Sequence, residues 1–255
     1  MKLTIRCYAK FNNLGKKRKK NMSMKERTKI EHPVDVQYLM HKAYEKVALL
    51  IEGLANDLQK GGSLDTFKEA FGLWGKHLHY HAQIEDEYMT GPIKNNIPAR
   101  NNELEHIKLR TEAESFGAFL KGEDEVVMKE NLGILIDFEE QQHQELEAHL
   151  ENVGKILKNE IGENALSTRK RRHLFSQVVA LRVCMFDHFD NEETFVFPVV
   201  RKFLDEQHQM KMAELLLFDK ESENPRWIID LLYENLEEED KQELLDFENK
   251  IKNSR

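Results

Sequence analysis

Apolar residues recur every three or four positions through most of this chain, and the strict alternation of a half-buried strand is nearly absent. Pro33 and Asp35 open a first helix over about 34–60, which Lys60-Gly61-Gly62-Ser63 closes. A second is predicted over about 64–93, stopped by Thr90-Gly91-Pro92 and the Asn95-Asn96-Ile97-Pro98 run. Others follow over about 101–121, 124–161 and 166–204, then shorter ones over 206–219, 225–234 and 237–252. Connections this short make neighbouring helices antiparallel. The expected fold is all-α: an up-and-down four-helix bundle over 34–205 with an inserted helix at about 101–121, capped by a helical extension at 206–255.

Composition agrees with a helical, soluble chain. Of 255 residues 40 % are hydrophobic and 33 % charged, with only 12 Gly and 5 Pro. A net charge of −8 argues against a nucleic-acid partner, which wants clustered Lys and Arg for its phosphates. The basic run within residues 1–33, Gly15 to Arg27, reads as a solvated tail, or as an extension ahead of a start at Met22 or Met24. Two cysteines, Cys7 and Cys184, make neither a disulfide framework nor a cysteine-rich metal site. There is no apolar run of signal-peptide length near the start and none long enough to span a membrane, so no membrane partner and a cytoplasmic location are expected.

An internal repeat emerges when the histidine-bearing helices are aligned. "HKAYEKVALLIEGLAN" from His41 resembles "HQELEAHLENVGKILKN" from His143, and "HAQIEDEYMTGPI" from His81 resembles "HFDNEETFVFPVV" from His188. The second histidine follows the first by 40 residues in one case and 45 in the other. Each half thus reads as a hairpin giving one histidine from its first helix and a His-x-x-x-Glu pair from its second.

Helical phase separates inward from outward histidines. His81 shares a stripe with Phe67, Phe71, Trp74 and Leu78, and Glu85 lies one turn on. His188 follows Leu174, Val178, Leu181 and Met185 and precedes Glu192 and Phe195. His143 leads into Leu146, Leu150, Val153 and Leu157, and His41 lies on a stripe with Val34, Tyr38, Ala48, Ile51 and Ala55. His79 and His149 fall on other faces, toward solvent or a side groove. His77 is a core residue or a partner placed behind the site, and Cys184 reads as an inward structural thiol.

Two carboxylates buried without Lys or Arg on their stripes are costly unless they bind a metal. One histidine on an apolar face is ordinarily a hydrogen-bonded core residue, and one His-x-x-x-Glu an ordinary helix-surface pair. Two such pairs, each with a phased histidine upstream, suit a pair of first-row metal ions: imidazole binds iron, zinc or copper, and a carboxylate can bridge two cations.

These motifs resemble the hemerythrin-like (HHE cation-binding) family. "HFDNEETFVFP" is close to that family's His-x-x-x-Glu-Glu…Phe-Pro signature, and "HAQIEDEYM" resembles the second-helix segment of the hemerythrin-like domain in an iron-sensing F-box protein. The order His, His-x-x-x-Glu, His, His-x-x-x-Glu is also similar to the di-iron proteins that repair iron centres. Over residues 34–205 the resemblance implies a four-helix bundle with two iron ions, bridged by an oxo or hydroxo group, zinc or manganese being alternatives. One iron would take His41 and His81, the other His143 and His188, with Glu85 and Glu192 bridging.

Two departures from the family pattern bear on this. The helix at 101–121 carries His106 on a stripe with Leu109, Ala113, Phe116 and Leu120. It opens a rival set of His41, His81, Glu85, His106, His143 and Glu147, which leaves helix 166–204 outside the site; the symmetric set is preferred for its stronger motif. Glu85-Asp86-Glu87 is followed by Thr90-Gly91-Pro92 instead of Phe-Pro, which would loosen that helix end without touching the ligands. His208 reads as structural. The resemblance implies binding or sensing of a small diatomic ligand, oxygen or nitric oxide, or of iron itself. The alternative is an enzyme that turns over peroxide or nitric oxide, or delivers iron to damaged centres. An apolar wall of Phe67, Phe71, Trp74 and Phe195 is expected to keep water from the metals.

Overall fold

A computed structural model describes residues 29–94, 125–160 and 167–253, and among them there is helix but no strand. A buried 3-10 turn at Pro33–Asp35 leads into α1 (Val36–Leu58). Gly61, at φ +90°, turns the chain back, a backbone that side chains with a Cβ resist. Ser63 then caps α2 (Leu64–Glu85) by accepting from the Thr66 N–H. A π-helical turn (Asp86–Thr90) and the short α3 (Gly91–Lys94) complete the first hairpin. The second is α4 (Glu125–Lys155), ending in a π turn (Ile156–Glu160), and α5 (Thr168–Asn191), whose Ser167 cap accepts from the Lys170 N–H. A π turn over Glu192–Val196 joins α5 to α6 (Phe197–Phe203). The expected helices are therefore present within a few residues at each end. The tail before residue 29, the helix at 101–121 with His106, and Cys7 lie outside the described residues.

Contacts link α1 to α2 and α5, and α4 to α2 and α5, so each long helix packs on two others. Their apolar stripes share one core, including Leu39, Ile51, Trp74, Leu135, Leu181 and Met185. The extension adds α7 (Glu206–Leu217) against α2, with α8 (Trp227–Asn235) and α9 (Glu238–Asn253) against α1. Polar ties fix it: Tyr80 donates to the Leu215 carbonyl at 2.9 Å, and Lys42 pairs with Asp240 at 2.9 Å. No described helix is long and apolar enough to cross a membrane.

Candidate metal centre

The inward phase of four helices brings seven polar side chains to one buried region. His41, His81, His143 and His188 arrive from α1, α2, α4 and α5, with Glu85 at the end of α2 and Glu192 just past α5. All six are at most 4 % exposed, and so is Glu139 on α4. Two tetrads overlap: His41, His81, Glu85 and Glu192; and Glu85, His143, His188 and Glu192. In each, one ligand atom per residue lies within 4.8 Å of all the others, so the four could close on one ion. Glu85 faces both halves: Oε1 lies 2.9 Å from His81 Nε2, and Oε2 lies 3.5 Å from His143 Nε2. Glu192 Oε2 lies 3.3 Å from His41 Nε2 and 3.4 Å from His188 Nε2.

These short distances lack hydrogen-bond alignment. Both oxygens of Glu85, Glu139 and Glu192, and Nε2 of His41, His81 and His143, are buried without a hydrogen-bond partner. Polar atoms so placed are ordinarily satisfied, and here they point at one another, as ligands around a cation do. These groups could hold a metal ion.

The outer nitrogens show how the rings are aimed. His41 Nδ1 lies 2.9 Å from Glu193 Oε1, and His143 Nδ1 lies 2.8 Å from Asp86 Oδ1. Each acid directly follows a carboxylate of the tetrads and reaches the histidine of the other hairpin. The π turns at Asp86–Thr90 and Glu192–Val196 begin five residues after His81 and four after His188, where a widened turn re-aims neighbouring side chains. An Nδ1–H donated outward leaves the Nε2 lone pair facing inward. Asp86 thus bears directly on a histidine of the tetrads.

Electrostatics divides the groups. Burial pushes the Glu192 carboxyl well up, and the nearby charges of Glu85 and Glu139 push it further. Burial likewise raises Glu139 to about 7. Burial also opposes charge on His143, but Asp86 and Glu85 outweigh it and hold the ring up to about 10. His41 and His188 are both lowered, chiefly by burial.

The surroundings differ in part from expectation. Phe189 stacks flat on His41 at 3.9 Å, with Phe197 5.7 Å from His41 and Tyr44 5.4 Å from His81. Phe67, Phe71 and Trp74 are buried but form their own row along α2, and Phe195 is half-buried against the core. The apolar wall therefore consists of Phe189, Phe197 and Tyr44. His77 is buried between Tyr44 and Trp227, its ring 4.4 Å from the indole, and burial lowers it to about 3. Glu147 of the rival set is exposed, pairs with the exposed His79 at 3.3 Å and belongs to neither tetrad, although both residues line the crevice that leads to His81, His143 and His188. Cys184 is half-buried and pushed up to about 11, again by burial. Asp205 accepts from the His208 backbone N–H at 2.8 Å at a helix start, and the exposed His208 ring lies 3.1 Å from the same oxygen.

Glu139, Asp86 and Glu193 were not found from sequence. Glu139 stands one turn before His143, so reading its stripe backward as well as forward would have exposed it. A narrow crevice of roughly 10 Å³, about the room of one water, runs between α2 and α4 past Ala82, Leu146 and Leu150 to His81, His143 and His188. Comparison of the chain with family models, curated proteins and solved structures finds no match.

Proposed function

We propose that this protein is a hemerythrin-like, non-haem di-iron protein whose long helices α1, α2, α4 and α5 form an up-and-down bundle around two metal ions. His41 and His81 would hold one ion, His143 and His188 the other, with Glu85 and Glu192 shared. The observation that carries this reading is the pair of overlapping tetrads, buried and unpaired, with two carboxylates in common. Zinc or manganese would also suit these donors. When bound, two iron ions supply electrons and open coordination positions for a small ligand. The chain's own residues do the rest: Asp86 and Glu193 orient imidazoles, while Phe189, Phe197 and Tyr44 exclude bulk water. The crevice between α2 and α4 favours a ligand about the size of water, such as oxygen or nitric oxide. Binding or sensing of such a ligand, or of iron itself, is the function this supports.

Metal analysis after anaerobic purification from iron-supplemented cells tests the proposal. Two ions per chain are expected, and fewer in Glu192→Ala. Ala82→Phe, which narrows the crevice, is expected to slow nitric oxide association about tenfold without changing metal content. Wild-type protein without metal overturns the reading. Glu192→Ala with two ions, beside His106→Ala with none, moves the site to the rival set.

A further inference from the structure

The two halves place different residues one turn ahead of their first histidine. Gln37 precedes His41 by four positions, as Glu139 precedes His143. Both are fully buried. Gln37 is neutral and donates its amide to Met89 Sδ at 3.7 Å. Glu139 instead borders the second tetrad without belonging to it: its Oε1 lies 3.3 Å from His143 Nε2 and 3.8 Å from His188 Nδ1, the ring nitrogen away from Glu192. Neither of its oxygens has a hydrogen-bond partner.

Resting on the di-metal reading above, we propose that Glu139 is a third carboxylate ligand, serving the His143/His188 position alone, so that the two metal positions are unequal. The His143/His188 ion then sees two imidazoles and three carboxylates, while the His41/His81 ion sees two and two. One more anionic oxygen strengthens attraction for a hard divalent cation and favours iron or manganese over softer metals. The position beside Glu139 fills first and releases its ion last. The position beside Gln37 is the one that exchanges.

Cobalt(II) titration of the metal-stripped full chain under argon, followed by visible absorption, tests the inequality. Wild type is expected to show two steps of one equivalent each, at least about tenfold apart in affinity. Glu139→Gln keeps the size of the side chain and should weaken the first step about tenfold or more, with helix content by circular dichroism unchanged. Gln37→Glu should tighten the second step, and decides the matter should Glu139→Gln fail to fold. Two wild-type steps of equal affinity, or a first step unmoved in Glu139→Gln, overturn the inequality and leave the di-metal reading standing. No cobalt bound to wild type overturns both.

Discussion

Buried acids fall into two groups in this molecule. Asp35, Asp240 and Glu248 are each paired with a lysine or arginine: Asp35 with Arg201 at 2.7 Å, Asp240 with Lys42 at 2.9 Å, and Glu248 with Arg226 at 2.6 Å. Glu248 also accepts from Tyr233 and pairs with Lys252 at 2.8 Å. Although burial pushes its carboxyl up, these partners hold it down at about 2. Glu85, Glu139 and Glu192 at the bundle centre face imidazoles and one another. A buried carboxylate costs several kcal/mol when unpaired, and around α1 and α9 the chain places cations to offset that cost. The centre is built differently: its histidines and acids could hold a metal ion, and on the di-metal proposal the ions are their counter-charge.

The largest effect that would break this contrast is on metal removal. A strong chelator is expected to lower the melting temperature by about 10 °C or more, since metal binding contributes folding free energy. An unchanged melting curve by calorimetry would put the central acids in the same class as Glu248.

Next in size is Glu192→Gln, which keeps the shape but removes a carboxyl whose charged form is disfavoured by burial and by Glu85 and Glu139. Chelator-treated protein should gain about 1–3 kcal/mol of stability from it, while metal-loaded protein loses metal and stability. Denaturant unfolding in both states reads the two signs, and the same sign in both would remove the contrast.

Arg226→Ala sharpens the other side. It leaves Glu248 with Lys252 and Tyr233, so a loss of about 1–3 kcal/mol is expected, with metal content unchanged. The pH dependence carries a definite sign. Glu248 titrates lower folded than its ordinary 4.5, so its contribution is fully present above that pH and is lost as pH falls toward about 2. Acid unfolding of the variant should show a shallower slope in that window.

The smallest effect on the fold belongs to Asp86→Asn and Glu193→Gln. Each is expected to weaken metal binding about tenfold while changing stability of the chelated protein by less than about 1 kcal/mol. Competition against a calibrated chelator measures the first and denaturant titration the second.

Much of this was legible in the chain itself. Helix ends follow from local signals: Ser63 and Ser167 as caps, Gly61 as a turn, Pro33 at an opening. The inward histidines follow from phase alone, because a residue on an apolar stripe has one direction to face. Asp86 and Glu193 escaped because adjacent acids at a helix end resemble a solvated tip, and each acts on a helix far away in sequence. The aromatic wall was misplaced for a related reason. Sharing the His81 stripe puts Phe67 and Trp74 in the core, but turns away along the axis, whereas Phe189 reaches the cluster from another helix.

By itself, then, the sequence determined where the helices lie and which faces go inward, and it offered the four imidazoles and two acids of the core as the preferred of two sets, because periodicity and capping act within a few residues. Only the tertiary structure decided that Glu85 faces both hairpins, that Asp86 and Glu193 cross between them, and that Glu139 lies against His143 where Gln37 turns to Met89. Those contacts depend on how four helices are rotated and slid against one another, and that arrangement comes from side-chain packing summed over the whole core, which no single stretch of sequence encodes.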